Sequence, residues 1–138
     1  MATPVPVASL GRDAKVSEAV RERLLPDYDV VHTCLDLSAA EVELPALFAG
    51  DLTIANAAGL GSNVSKPAGE RAVPKIVLFG GDIPDDEVSR VTAAIRARTP
   101  SIRSIKVSKL DVLKAGGLGP NPDVIAKVYR KKIAKEEA

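Results

Sequence analysis

Two hydrophobic rhythms alternate along this chain. Short apolar runs, rich in Val, Ile and Leu, recur at 4–11 (PVPVASLG), 28–36 (YDVVHTCLD), 52–57 (LTIANA), 75–81 (KIVLFGG) and 101–109 (SIRSIKVSK). Runs of this length and β-branched content read as strands, and their nearly continuous apolar middles suit a sheet covered on both faces. Between them the apolar positions return every three or four residues. Val16, Ala19, Val20 and Leu24 form one such stripe and Val88, Val91 and Ile95 another, which predicts amphipathic helices over 14–25 and 84–98.

Local punctuation supports these boundaries. Asp13 is placed to cap the first helix, Ser38 a second at 39–50 and Asp123 the last, which begins near 123. Pro45 is expected to kink or shorten the second helix, and Pro84 to occupy the first turn of the third. Asp85, Asp86 and Glu87 then lie at the positive end of that helix, and Arg96 and Arg98 at its negative end. Strand and helix alternate throughout, so the expected fold is α/β: a three-layer sandwich with a mainly parallel five-stranded sheet in the flavodoxin-like order 2-1-3-4-5. Arg103 and Lys106 assign the fifth strand to an edge. A single domain over 1–138 is expected, with a long Gly-, Ser- and Pro-rich loop at about 57–74 and a helical tail at about 110–138 broken at GLGPNP.

Composition narrows the function classes. Apolar residues make up 46% of the chain but aromatics only 3%, with no Trp, so the core is aliphatic and a stacking platform for single-stranded nucleic acid is disfavoured. Residues 1–100 hold ten basic and fourteen acidic side chains, and residues 101–138 nine basic and four acidic. The basic tail (Lys127, Arg130, Lys131, Lys132, Lys135) reads first as a solvated helix face, and nucleic acid as an unlikely partner. One Cys and one His exclude an internal disulfide and a zinc cluster of usual spacing, so no metal and no cofactor are expected. The N-terminal segment lacks a basic n-region and no apolar run has membrane length, which points to a cytoplasmic protein, a nuclear one remaining open, with no membrane partner. Asn63-Val64-Ser65 is then a chance sequon.

In doubly wound sheets ligands gather at the carboxyl ends of the strands near the switch point. Candidate contacts there are Gly11, Arg12 and Asp13 after the first strand, Asn56, Gly59, Gly61 and Ser62 after the third, Gly80 and Gly81 after the fourth, and Lys109 after the fifth. Backbone amides around Gly59, Gly61 and Ser62 suit an anion nest, although GLGSNVSK does not meet the P-loop pattern. Arg12 and Lys109 offer positive charge for a phosphate or carboxylate. A dinucleotide fingerprint is not met either. Only Gly11 fits its glycine positions, Asp13 and Val16 occupy the others, and Asp36 stands where a ribose-binding acid would. His32 and Cys34 share one face of the second strand; mid-strand placement favours core residues over a Cys–His nucleophile pair. The glycine cluster KAGGLGPNPD at 114–123 reads as a turn.

DAKVSEAVRERLL and DLTIAN give the chain a resemblance to receiver domains of response regulators over roughly residues 5–110. The resemblance implies a phosphoacceptor at position 56, where this chain has Asn56, and two Mg²⁺-binding acids where it has Gly11 and Arg12, with Asp13 alone left nearby. Phe79-Gly80-Gly81 replaces the family's switch Ser or Thr, and Lys109 matches its Lys without the following Pro. What the resemblance implies is a non-enzymatic receiver-like module that has lost phosphotransfer and acts through a protein partner or as a homodimer. The alternative is a small-molecule binding protein, or small enzyme, that uses the carboxyl-end loops for a nucleotide, phosphate or carboxylate.

Overall fold

The computed structural model describes residues 3–137. Four strands form one all-parallel sheet, β1 (Val5–Leu10), β2 (Tyr28–Cys34), β3 (Ile76–Phe79) and β4 (Arg103–Lys106), in the order β2-β1-β3-β4. Five helices accompany them: α1 (Ala14–Leu24), α2 (Leu37–Phe48), α3 (Asp85–Arg96), α4 (Lys109–Lys114) and α5 (Pro122–Glu137). Alternate residues of β1 and β3 face opposite layers. On one side Val7, Ile76, Leu78 and Ile105 pack with Val20 and Leu24 of α1 and Tyr129 and Ile133 of α5. On the other, Ala8, Leu10, Val77 and Phe79 pack with Leu44 and Phe48 of α2 and Val91 and Ile95 of α3.

Of the five expected strands the third, at 52–57, is absent among the described residues. Residues 52–57 form no strand and make no ladder, and the helical structure of the segment from 51 to 75 is two short 3₁₀ turns, Ser62–Ser65 and Ala68–Glu70. Its polar atoms bond within the loop instead. Asp51 accepts from the amide and hydroxyl of Thr53, at 3.0 and 2.6 Å. Asn56 accepts from the Gly59 amide at 3.0 Å and donates to the Leu60 carbonyl at 2.7 Å. The place beside β1 expected for this run is taken by the 75–81 strand, and the short Asp/Asn-bounded segment resolves into turns. The expected order therefore becomes 2-1-3-4, with the 75–81 run as β3 and the 101–109 run as edge strand β4.

Capping follows the sequence in part. Asp13 caps α1 by accepting from the Val16 amide at 3.1 Å. For α2 the cap is Asp36, accepting from Ala39 at 2.8 Å, rather than Ser38, and the helix runs unbroken through Pro45. Asn121 takes the place expected of Asp123, accepting from the Asp123 and Val124 amides at 3.0 and 3.3 Å.

One irregularity repositions chemistry. Between Val7/Ala8 the pairing with β2 slips by a residue, so Val7 faces Val30 while Ala8 faces His32. Period-two alternation would put Val30, His32 and Cys34 on one face. The bulge at Val31 instead leaves Val30 with α1 and turns His32 and Cys34 toward α2.

Candidate functional site

The carboxyl ends of β1, β3 and β4 border a cavity of about 640 Å³ on the α1/α5 side. Val20 and Leu24 from α1, Leu78, Val107, and Ile125 and Tyr129 from α5 make its apolar wall. α4 and the turn after it make an outer wall on the other side. Leu113, Leu118 and Pro120 form that outer wall.

Six sequence-nominated residues meet at the rim: Gly11, Arg12, Asp13, Gly80, Gly81 and Lys109. Arg12 is already committed. One of its guanidinium nitrogens donates to both Glu87 oxygens, at 2.6 and 2.8 Å, and its amide donates to Asp82 at 3.0 Å. Arg12 thus ties the β1–α1 turn to the start of α3, and the hydrogen bond and charge of Glu87 raise its pKa. Asp13 is occupied as the α1 cap. Lys109 is exposed and has no ion pair among the described residues, so it is the cation open to a ligand. Gly81 packs closely against the start of α4, a Cβ there lying 3.2 Å from the Lys109 amide nitrogen. Deep in the wall, the Tyr129 hydroxyl donates to the Phe79 carbonyl at 2.7 Å, and burial, then the Asp82 charge, push its pKa up.

The other four nominees lie elsewhere. Asn56, Gly59, Gly61 and Ser62 belong to the 51–75 loop, which crosses the outer edge of β2, where Thr33 donates to the Leu60 carbonyl at 3.1 Å. Asn56 does not end a strand, so the position compared with a receiver's acceptor is a turn. Ser62 Oγ is buried with no hydrogen-bond partner among the described residues, Ser62 beginning a 3₁₀ turn. Asn63 holds the loop together by pairing both amide atoms with the backbone of Ala72, at 2.9 and 3.0 Å.

Under this loop sits a second constellation. His32 Nε2 is 2.7 Å from Glu43 Oε1, the Cys34 thiol donates to the same oxygen at 3.7 Å, and Glu43 Oε2 accepts from the Ala57 amide at 3.2 Å. All three side chains are buried. Burial first, and the Glu43 charge second, push the Cys34 thiol up, so it is a protonated core thiol and not a ready nucleophile. A smaller polar cavity of about 280 Å³ borders His32, with Thr53, Asn56, Asn63 and Arg71 among its walls. Arg71 is held there by donating to the Lys66 and Leu52 carbonyls at 2.8 and 2.9 Å.

Glu43, Asp82 and Tyr129 were not nominated from sequence. A signal for Glu43 existed: Ala40, Leu44 and Leu47 define the buried stripe of α2, and position 43 falls inside it. The tail cations divide. Arg130 bonds Asp27 and the Leu24 and Leu25 carbonyls, Lys132 bonds Asp111 and the Lys106 carbonyl, while Lys127, Lys131 and Lys135 face solvent. No helix is long and apolar enough to cross a membrane among the described residues.

With the geometry in place, the chain can be compared with known proteins. It is 26% identical over 131 residues to Kojic acid related protein 6 of Aspergillus oryzae, an alignment covering 95% of this chain and 72% of that protein. No family model and no solved structure matches it.

Proposed function

We propose that this chain binds a small amphipathic molecule in the carboxyl-edge cavity. The observation that carries this reading is an aliphatic cavity of about 640 Å³ opening beside the meeting point of β1 and β3. Protein interiors pack as densely as organic crystals, and voids much larger than a water are few. A space of this size falls in the range of small-molecule sites, roughly 300–1,000 Å³, and lies where doubly wound sheets keep their ligands. Its wall suits an apolar body. Its rim suits a polar or anionic head beside Lys109. The name of the Aspergillus relative places kojic acid in the test panel.

The test is a thermal-shift screen with nucleotides, flavins, sugar phosphates, fatty acids and kojic acid. A ligand at a hundred times its Kd stabilises the native state by about 2.7 kcal/mol, on the order of 10 °C in Tm for a domain of this size. Val16 lines the cavity and is only half-buried, so Val16→Trp obstructs the site with little demand on the core. The expected result is a ligand-dependent rise that Val16→Trp abolishes. A rise that survives Val16→Trp, or no rise with any compound, overturns the proposal.

A second reading has its own observation. Leu110, Leu113 and Leu118 are 56%, 59% and 88% exposed on α4 and the turn beyond it. Under this reading the chain is the receiver-like interaction module without phosphotransfer, and α4 meets a protein partner or a second copy.

A further inference from the structure

We propose that His32, Cys34 and Glu43 form a binding site for a zinc-type divalent ion, with a fourth coordination position open to the polar cavity beside His32. One ligand atom from each residue lies within 4.8 Å of the others. They converge because the bulge in β2 turns His32 and Cys34 onto the α2 side, where Glu43 occupies the buried stripe. The proposal concerns a different cavity from the carboxyl-edge one and stands independently of it.

Charge supplies the first argument. Glu43 puts a carboxylate in a position 6% exposed, and its side-chain neighbours are an imidazole and a thiol. A buried carboxylate is retained where a cation or several donors compensate it. A divalent ion held by a carboxylate, a thiolate and a neutral imidazole gives a site of zero net charge. On binding, the Cys34 thiol proton leaves to solvent and sulfur takes the metal in its place.

Donor chemistry and geometry supply the rest. One sulfur, one imidazole nitrogen and one carboxylate oxygen are the ligand types of zinc and its cobalt surrogate, and a thiol disfavours magnesium and calcium. Three protein ligands with one open position is the arrangement of accessible zinc sites. Tetrahedral legs of about 2.0–2.3 Å separate a nitrogen and an oxygen ligand by about 3.3 Å and a sulfur and an oxygen by about 3.5 Å. The observed 2.7 Å between His32 and Glu43 must therefore open, while the 3.7 Å from Cys34 to Glu43 is already close. Space for that movement and for a fourth ligand lies in the adjoining cavity of about 280 Å³. The Ala57 amide fixes Glu43 Oε2 and leaves Oε1 for the metal, the kind of outer contact that orients ligating carboxylates.

The experiment titrates the chelator-treated full chain with Co²⁺ and with Zn²⁺. Expected are one equivalent of Co²⁺, tetrahedral visible bands with a thiolate-to-cobalt charge-transfer band, and full displacement by Zn²⁺. Cys34→Ser should abolish the charge-transfer band, and Glu43→Gln should weaken Zn²⁺ binding at least tenfold. A hundredfold excess of Mg²⁺ should leave the spectrum unchanged. Absence of stoichiometric Co²⁺ uptake by the folded wild-type chain, or a cobalt spectrum without a thiolate band, overturns the proposal; neither result depends on whether a variant folds. A spectrum identical in Cys34→Ser also overturns it.

Discussion

Gly61 is the residue on which the seat of the 51–75 loop turns, and Gly61→Ala should show it. Gly61 has φ of +114°, and a Cβ there would collide with the Val31 carbonyl oxygen while lying 2.6 Å from its carbon and 2.7 Å from the His32 nitrogen. These are backbone atoms of β2, at the bulge, and they have no rotamer to change. The substitution therefore carries two terms. Holding an L-residue at positive φ costs about 1–2 kcal/mol. Relieving the clash requires the loop to lift from β2, which breaks the 3.1 Å bond from Thr33 to Leu60 and leaves a buried amide unpaired, about 1–3 kcal/mol. The sum, about 2–5 kcal/mol, is a large part of the roughly 5–15 kcal/mol that stabilises a domain. Gly59→Ala is the control, because Gly59 also has positive φ, +68°, but nothing lies within 4 Å of its added Cβ. It should show only the first term. Urea unfolding should then place the Gly61→Ala midpoint about 1–2 M below that of Gly59→Ala, with similar slopes of roughly 1–3 kcal/mol/M. Hydrogen exchange should report lost protection at Thr33 in Gly61→Ala alone. Equal midpoints for the two variants, or undiminished Thr33 protection in Gly61→Ala, would refute the reasoning.

Two further predictions concern α4. Asp111 accepts from the Ser108 amide and from Lys132, both hydrogen bonds lowering its pKa to about 2, the Lys132 one the more. Because the folded value is depressed, the stabilisation is present above the ordinary carboxylate value, about pH 4, and is lost as pH falls toward the folded value. Asp111→Asn should thus be less stable than wild type by about 1 kcal/mol at neutral pH, the scale of one exposed ion pair plus half a capping box, and the gap should close between about pH 4 and pH 2. Chemical denaturation across that range checks it, and a gap independent of pH rules it out. If α4 meets a second copy, sedimentation velocity should show association that Leu113→Glu combined with Leu118→Glu removes; a wild-type chain that stays monomeric at high concentration removes the self-association reading.

Much of this protein was determined by its sequence alone. Short apolar runs and period-3.6 patterning located four strands and the helices, and Asp13 marked the start of α1, because these depend on near neighbours along the chain. The rim residues Gly11, Arg12, Asp13, Gly80, Gly81 and Lys109 were likewise legible, since parallel topology brings strand ends together whatever the loops do. Tertiary structure decided the rest. The 52–57 run has strand composition, but the 75–81 run took the place beside β1, and Asn56 became a turn residue. Glu87 took the charge that Arg12 offered, from 75 residues away. The bulge at Val31 exists only as a register between β1 and β2, and it alone turns His32 and Cys34 toward Glu43. The cavity too is a product of assembly: its wall joins core residues of α1, α5 and the sheet with Leu113, Leu118 and Pro120 of α4 and the turn after it, which meet only in the folded chain.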